Sequence, residues 1–181
     1  EIEMQIAYGD PLTGRLVQRG LPIAIGTDIE SAFAQDMLAC MRITLQAERH
    51  MTSMQMMGGG FKRPHPIPIT VREALRWATV DGAKALRLDD RIGTLTPGKQ
   101  ADIITIRATD PNLFGAFDPY NAVVGYAHPG NIDSVMIAGR IMKRGGKLLR
   151  DDLMQKLEAL QVSGLRIFEE FKAKAATAQY A

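Results

Sequence analysis

One short stretch, residues 20–28, constrains the fold of this chain more than any other. It reads GLPIAIGTD, an apolar run bounded by glycines and followed by a single carboxylate, Asp28. An unbroken apolar run of this length is typical of a strand that is buried on both faces, as parallel strands are. In barrels of alternating strands and helices, the carboxyl ends of the strands carry the chemistry. We therefore predict a buried strand that presents Asp28 as a functional residue.

The segments on either side of this strand have helical periodicity. Leu12 and Leu16 lie four residues apart, and Gly20 follows them as the glycine expected after a helix C-terminus. A second helix is predicted from Ser31, because apolar residues then recur every three or four positions, at Phe33, Ala34, Met37, Leu38, Met41 and Leu45. The order helix, strand, helix predicts an α/β fold.

A methionine-rich stretch follows, from Met51 to Phe61. It contains three consecutive glycines, and three prolines lie between Pro64 and Pro68. Periodic structure does not pass easily through such a sequence, so we predict a long loop. We interpret its methionines as cover for part of the core. A flexible lining for an apolar ligand, or an adaptable contact surface, is the alternative.

The second half of the chain changes from helical to strand-like patterns. Thr70 and Glu73 form a capping-box pattern that opens a helix reaching Leu86. A small β segment over residues 92–149 follows, with a strand at residues 101–106, a tight hairpin around Ala138-Gly139 and a loop-rich excursion from Thr109 to Asn131. A last helix is predicted from Asp151, with Leu153, Leu157, Leu160, Phe168 and Phe171 on one face and a skipped turn at Gly164.

Charge and composition exclude several classes of protein. The chain has 22 Lys and Arg against 20 Asp and Glu, a net charge of +2, and both signs are dispersed. This distribution provides no concentrated basic surface for binding nucleic acid or a membrane. One cysteine precludes an internal disulfide and, with no signal-peptide pattern, favours a cytoplasmic protein. Because the chain begins at Glu1 in the middle of a pattern, we expect it to be a fragment of a longer protein.

Several motifs in fixed order resemble the C-terminal portion of metal-dependent amidohydrolases. The closest branch contains cytosine deaminase-like, chlorohydrolase-like and imidazolonepropionase-like enzymes. The resemblance covers about residues 1–150, and the motifs that carry it are GTD at 26–28, TVREAL at 70–75, ATVDGAKAL at 78–86, IGTLTPGKQADI at 92–103 and VMIAGR at 135–140.

The resemblance implies an architecture. In that family a (β/α)8 barrel carries the active site, and a small β-sandwich is assembled from both ends of the chain. The chain is then α/β: residues 1–90 supply the last barrel strand and its helices, residues 91–150 the C-terminal share of the sandwich, and residues 151–181 a C-terminal helix. The family's His-x-His pair and later histidine ligands have no counterpart here.

The resemblance also implies a role for Asp28, which matches the family's strand-eight aspartate. That residue binds a divalent metal, expected to be zinc, and moves the proton of the attacking water. A bound metal lowers the pKa of water from about 16 to about 7, and an adjacent carboxylate is able to take its proton. Zinc normally needs about three or four protein ligands, so we expect the isolated chain to bind metal poorly and to be inactive.

The function implied is hydrolysis of a non-peptide carbon–nitrogen bond, as a deaminase or a cyclic amide or amidine hydrolase. The expected substrate is a small nitrogen heterocycle or amide, in a homo-oligomeric enzyme that binds neither nucleic acid nor membranes. The alternative is a non-catalytic assembly or partner-binding module of amidohydrolase type. A His-x-His strand encoded before Glu1 would favour the enzyme.

Other polar residues are also candidates for functional roles. Glu30, two residues after it, and His65, in the predicted loop, are candidate substrate contacts, although a solvated loop histidine is the simpler interpretation of His65. His50, at a predicted helix end, and His128, before a proline, are interpreted as structural. Two further residues have structural interpretations: Cys40 is a packed side chain, and Lys99 forms a local ion pair with Asp102 beside a turn.

Overall fold

Helices precede a small antiparallel sheet along the chain, and one long helix follows it. The computed structural model describes residue 4 and residues 7–29, 35–57, 67 and 69–177. The helices of this part are α1 (Thr13–Gln18), α2 (Met37–Met57), α3 (Val71–Trp77), α4 (Val80–Ala85), the single turn α5 (Pro119–Asn121) and α6 (Leu153–Thr177). The strands are β1 (Ile103–Ile106), β2 (Ile132–Ile137), β3 (Arg140–Arg144) and β4 (Lys147–Leu148).

The chain divides into two compact units, Glu1–Lys147 and Leu148–Ala181. The core of the first unit joins α2, α3, the segment before α2 and the segment between β1 and β2. Its buried members are Ile23, Leu38, Met41, Leu45, Ala74, Trp77, Leu113, Val124 and Ala127. Of the helices described, none combines the length and the apolarity that crossing a bilayer requires.

Helix α1 ends as its sequence predicts. Gly20 adopts a left-handed φ of 62°, and its N–H donates to the carbonyl of Val17 at 2.9 Å, while the N–H of Leu21 donates to the carbonyl of Leu16 at 3.0 Å. These two bonds form a Schellman motif, which satisfies carbonyls that a helix end otherwise leaves without partners.

Helix α2 is longer at its C-terminal end than predicted. The Oδ1 atom of Asp36 accepts from the N–H of Leu38 at 2.9 Å and caps the helix start. The helix then runs without interruption to Met57. The prediction of a loop beginning at Met51 is therefore wrong for residues 51–57, because Met and Gln are good helix formers and the helix contains no glycine or proline up to Met57. The described helix begins at Met37, so the start predicted at Ser31 is too early by at least the two described residues before it, Gln35 and Asp36, which are not helical. Ser31 itself and the glycines and prolines of the predicted loop lie outside the described residues.

The capping box at Thr70 is confirmed, but the single helix predicted after it is two. The hydroxyl of Thr70 accepts from the N–H of Glu73 at 3.2 Å, and the Glu73 carboxylate accepts from the N–H of Thr70 at 2.6 Å. The chain then turns between α3 and α4. At this turn Thr79 departs from helical geometry, with φ −130° and ψ −95°, and its hydroxyl donates to the carbonyl of Leu75 at 2.7 Å. Threonine competes in this way for helical backbone partners.

The strand predicted at residues 20–28 is not formed in the described structure, where residues 21–29 belong to neither a helix nor a strand. A strand is defined by ladder hydrogen bonds to a neighbour. All strands of the described part lie between Ile103 and Leu148 and pair with one another. Residues 21–29 therefore have the apolar pattern of a strand without a partner strand.

The β segment forms one four-stranded sheet in the order β1-β2-β3-β4. Strands β1 and β2 are antiparallel, with Ile103 opposite Met136, and β2 and β3 form the predicted hairpin. Its turn residues, Ala138 and Gly139, both have left-handed φ values, 48° and 80°. That combination is the type I′ turn that matches the twist of paired strands. The predicted excursion before β2 contains short helical turns: α5, a π-helical turn at Ala122–Tyr126 and a 3₁₀ turn at Pro129–Asn131.

The second unit consists mainly of α6, the helix predicted from Asp151. Gly164 lies inside the helix and does not interrupt it. The apolar face predicted for this helix is exposed: Leu157, Leu160, Phe168 and Phe171 are between 47% and 68% accessible. The helix prediction is confirmed, but the skipped turn predicted at Gly164 is not present.

Candidate active site

Asp28 lies at the end of an extended segment whose two faces differ in burial. Ile23 is buried and Ile25 partly buried, and both belong to the core formed with α2. The alternate residues Ala24, Gly26 and Asp28 are exposed. Since side chains of an extended chain point alternately to opposite sides, Asp28 shares a face with two small residues. That face is uncovered in this chain.

The backbone at Asp28 is in the left-handed region, with φ 57°. Few residues other than glycine adopt this conformation, and aspartate is one that tolerates it. Strained backbone of this kind clusters at functional sites. The conformation ends the extended segment directly at the carboxylate.

Helix α2 holds this segment in place. The Cys40 thiol donates to the carbonyl of Gly26 at 3.5 Å, two residues before Asp28. Cys40 is fully buried, which confirms its prediction as a packed side chain. Two residues later, the Arg42 guanidinium donates to the carbonyls of Val124 at 3.0 Å and Ala127 at 2.5 Å. Helix α2 therefore fixes the position of Gly26 relative to the π-helical turn.

A cavity of about 230 Å³ lies between α1, residues 23–26 and α2. Its walls are mainly aliphatic, with Leu16 from α1, Ile25 from the extended segment and Ile43 from α2.

Glu48 is a buried carboxyl on α2 that sequence reasoning missed. Its side chain is 2% exposed, and Oε1 has no hydrogen-bond partner among the described residues. Burial raises the pKa of Glu48, the backbone hydrogen bond from Gly14 opposes this shift, and the charge of Asp10 adds to it. One signal was available in the sequence, since Glu48 continues the spacing of Leu38, Met41 and Leu45.

Of Glu30 and the histidines, the structure describes His50 and His128. Glu30 and His65, the candidate substrate contacts, lie outside the described residues. His50 is exposed within α2, so its predicted position at a helix end is wrong, because the helix continues to Met57. His128 is structural as predicted: its Nδ1 accepts from the N–H of Gly130 at 3.1 Å and caps a 3₁₀ turn.

Lys99 and Asp102 do not form the predicted ion pair. The Lys99 ammonium donates to the carbonyls of Asp89 at 2.5 Å and Ile92 at 3.3 Å. The Asp102 carboxylate instead accepts from the N–H of Ala138 at 2.6 Å, at the hairpin turn. Both side chains fix loop backbone, since backbone groups without ladder partners need other hydrogen bonds.

A second polar cluster centres on Asn131, which is 2% exposed. Its Nδ2 donates to Oδ2 of Asp110 at 2.7 Å and to Oδ1 of Asn112 at 3.0 Å. Its Oδ1 accepts from the N–H of His128 and from Nδ2 of Asn112, both at 3.0 Å. The hydrogen bond from Asn131, followed by that from Arg107, lowers the pKa of Asp110. This satisfied network is a structural support for the excursion before β2.

The sequence profile of the amidohydrolase family matches residues 12–142, which is most of the chain. The chain belongs to the amidohydrolase family. This membership confirms the resemblance carried by the motifs between residues 26 and 140. The extended segment with Asp28, helices α1 to α4 and the turn of the hairpin fall within the matched region.

Two relatives are 5-methylthioadenosine/S-adenosylhomocysteine deaminases. The protein from Desulforudis audaxviator is 29% identical over 166 residues, which cover 92% of this chain and 36% of the relative. The protein from Teredinibacter turnerae is 34% identical over 138 residues, covering 75% of this chain and 28% of the relative. The amidohydrolase chain therefore spans about a third of the length of these relatives.

A solved structure shares the fold. An adenosine deaminase from Xanthomonas campestris, crystallised with bound zinc, superposes with a TM-score of 0.73 at 22% identity. The match covers 93% of this chain and 35% of the deaminase. At this identity the comparison shows the fold alone, an α/β fold of amidohydrolase type.

The described residues of this amidohydrolase chain supply too few ligands for a metal ion. Among the residues described, no three His, Cys, Asp or Glu side chains come together as a group able to hold a metal ion. Asp28 is a single carboxylate, and zinc sites in proteins use about three or four ligands. The described residues by themselves do not fit a complete metal site.

Proposed function

We propose that this chain is the C-terminal portion of a metal-dependent hydrolase that acts on non-peptide carbon–nitrogen bonds. In this proposal residues 20–28 occupy the place of the eighth barrel strand, and residues 31–88 form the helical region that follows it. Residues 91–150 are the C-terminal share of a composite β-sandwich, and residues 151–181 are an additional helix.

The observation that carries the proposal is the two-faced burial of the extended segment. Ile23 and Ile25 pack toward α2, as barrel strands pack outward against their helices, while Ala24, Gly26 and Asp28 are exposed on the other face. Residues of a barrel strand alternate between the interior and the surrounding helices. The exposed face of this segment is thus suited to a barrel interior, and Asp28 to the carboxyl end of a strand, where TIM-barrel enzymes place their chemistry.

The role we propose for Asp28 is to supply one ligand oxygen to a divalent metal, zinc by analogy with the crystallised deaminase, and to accept a proton. A carboxylate is a suitable group for both tasks. When bound, the metal supplies an acidified water. The remaining ligands belong to parts of the enzyme other than the described residues.

The substrate class we propose is a small nitrogen heterocycle that carries an exocyclic amine. The two relatives described above are named for deamination of adenosine derivatives, which supports this class over cyclic amides. Glu30 remains a proposed substrate contact because it follows Asp28 by two residues in the sequence, and His65 remains one as a prediction from the sequence alone.

The test uses the longer polypeptide that carries these residues after a complete barrel. Ammonia release from adenosine derivatives is measured for the parent, for Asp28→Asn and for a matched control, Asp90→Asn, which removes an exposed turn carboxylate. We expect Asp28→Asn to lower kcat by about 10²-fold to 10⁴-fold, the range for loss of a general acid–base group. Asp90→Asn should leave kcat unchanged.

Two outcomes would contradict the proposal. A longer polypeptide without hydrolase activity would favour the non-catalytic alternative, an amidohydrolase-like module used for assembly or partner binding. An active polypeptide whose kcat is unaffected by Asp28→Asn would support the proposed hydrolase function but would show that Asp28 has no part in catalysis.

A further inference from the structure

The apolar face of α6 is laid out as a helix-pairing seam. The helix has 25 residues, and apolar or small side chains follow one another at alternating spacings of four and three, at Leu153, Leu157, Leu160, Gly164, Ile167 and Phe171. This spacing is the a/d pattern of a two-stranded coiled coil. Four of the six residues are also strongly exposed, from 47% at Leu157 to 68% at Leu160.

Charged residues flank this seam in a symmetric way. Lys156 and Glu170 occupy the same edge, each directly preceding a seam residue. They lie seven residues before and seven residues after Ser163, which is on the same edge. In an antiparallel pair of identical helices, residues on this edge face each other across the two-fold axis. Lys156 of one copy then faces Glu170 of the other, and the same contact occurs twice.

The seam residues match in the same register. Gly164 of one copy falls opposite Leu160 of the other, so a small residue faces a large one. Leu157 falls opposite Ile167, and Leu153 opposite Phe171. In a parallel pair, two Gly164 residues would meet and leave a gap, and Lys156 would face the uncharged Gln161. Charge and volume both favour the antiparallel arrangement.

We propose that α6 is a dimerisation element that pairs with α6 of a second copy of this chain, in an antiparallel arrangement in which Ser163 faces Ser163 of the second copy. The inference is independent of the role proposed for Asp28. A membrane surface is the competing occupant for an amphipathic helix. The helix carries Lys156, Arg166, Lys172 and Lys174 against Glu158, Glu169 and Glu170, and this near balance of charge is unlike the strongly basic helices that bind anionic bilayers.

Glu170 also has a partner within its own helix. Arg166 donates to its carboxylate at 2.6 Å. The pair is exposed and spaced i, i+4, and such pairs stabilise a helix only slightly. The Glu170 carboxylate has two oxygens, so it is able to accept from Arg166 and from Lys156 of the second copy together.

The test is sedimentation equilibrium of the longer polypeptide that carries these residues after a complete barrel, and of its charge-reversal variants. We expect Lys156→Glu and Glu170→Lys each to raise the dimer dissociation constant by about tenfold, because each places like charges opposite at two symmetric positions. The double variant Lys156→Glu/Glu170→Lys should return it to within about threefold of the parent. Glu158→Lys, a reversal on the outer side of the helix, is the matched control and should have no effect.

Disulfide trapping provides a second readout that does not depend on charge. Ser163→Cys lies at the proposed two-fold axis and should form a cross-linked dimer on mild oxidation, whereas Val162→Cys, on the opposite side of the helix, should not. A monomeric parent would overturn the proposal, as would dimerisation that is insensitive to the charge reversals, or co-sedimentation of a monomeric chain with anionic vesicles. Circular dichroism of each variant establishes that α6 remains helical.

Discussion

The carboxyl group of Glu48 lies directly against Gly14, so that a Cβ atom built on Gly14 would be only 2.0 Å from Oε2 of Glu48. This contact joins α1 to α2, and α2 in turn holds the segment that ends at Asp28. The position of the Glu48 carboxyl therefore requires a residue without a Cβ atom at position 14.

Gly14→Ala should destabilise the chain by about 1–3 kcal/mol, because the added methyl displaces the buried carboxyl of Glu48 from its hydrogen bond with the Gly14 backbone. Chemical denaturation monitored by tryptophan fluorescence measures this, since Trp77 is buried in the same core. Gly26→Ala, where a Cβ meets nothing within 4 Å, is the control and should be nearly neutral. If Gly14→Ala/Glu48→Ala is no more stable than the sum of its single changes predicts, the contact is not the cause.

Replacing Glu48 should change how stability depends on pH. The folded-state pKa of Glu48 is raised above 4.5 by burial, so its contribution to stability is fully present below pH 4.5 and is lost as pH rises through the folded pKa. Glu48→Gln cannot ionise. We expect it to gain free energy of unfolding relative to the parent between pH 4 and pH 8. Glu158→Gln, an exposed change, should show a constant difference, and a constant difference for Glu48→Gln would refute the assignment.

Asn131→Ala should destabilise the chain by about 2–4 kcal/mol, because it removes the acceptor of the His128 N–H, both bonds between Asn131 and the Asn112 amide, and the bond to Asp110. It should also raise the pKa of Asp110, whose lowering is due first to Asn131. The ionised Asp110 carboxylate contributes to the free energy of unfolding above its ordinary pKa of 3.8. This contribution is lost as the pH falls through the lower pKa of the folded state. An NMR titration of the Asp110 carboxyl carbon measures the shift. Asn121→Ala, which removes a marginal 3.5 Å contact to Tyr126, serves as the control and should leave that pKa in place.

Local signals in the sequence predicted the elements whose stability is local. The glycine after α1, the capping box at Thr70 and the Ala138-Gly139 hairpin each depend on bonds within a few residues, and each is present. The prediction of a single helix after Thr70 was wrong, because the sequence does not show that a side-chain hydrogen bond competes with the helical one. The hydroxyl of Thr79 takes a helical carbonyl and separates α3 from α4.

Long-range relationships were not accessible from the sequence in the same way. The burial of Glu48 depends on Gly14, 34 positions earlier in the chain, and the Asn131 network joins residues about 20 positions apart. Residues 21–29 have a strand pattern, but a strand also needs a neighbour to pair with. Asp28 was found because its motif occurs in order with others, whereas its role as a metal ligand and the domain boundary near residue 91 stay predictions.

Zinc retention tests the central claim most directly. The 181-residue chain, the longer polypeptide with a complete barrel, and its Asp28→Asn variant are loaded with zinc, dialysed and analysed for metal. We predict about one retained zinc in the longer polypeptide, clearly less in its Asp28→Asn variant, and far less than one in the 181-residue chain, because a single carboxylate cannot replace about three or four ligands. Stoichiometric zinc in the 181-residue chain, or equal zinc in the longer polypeptide with and without Asp28, would contradict the account.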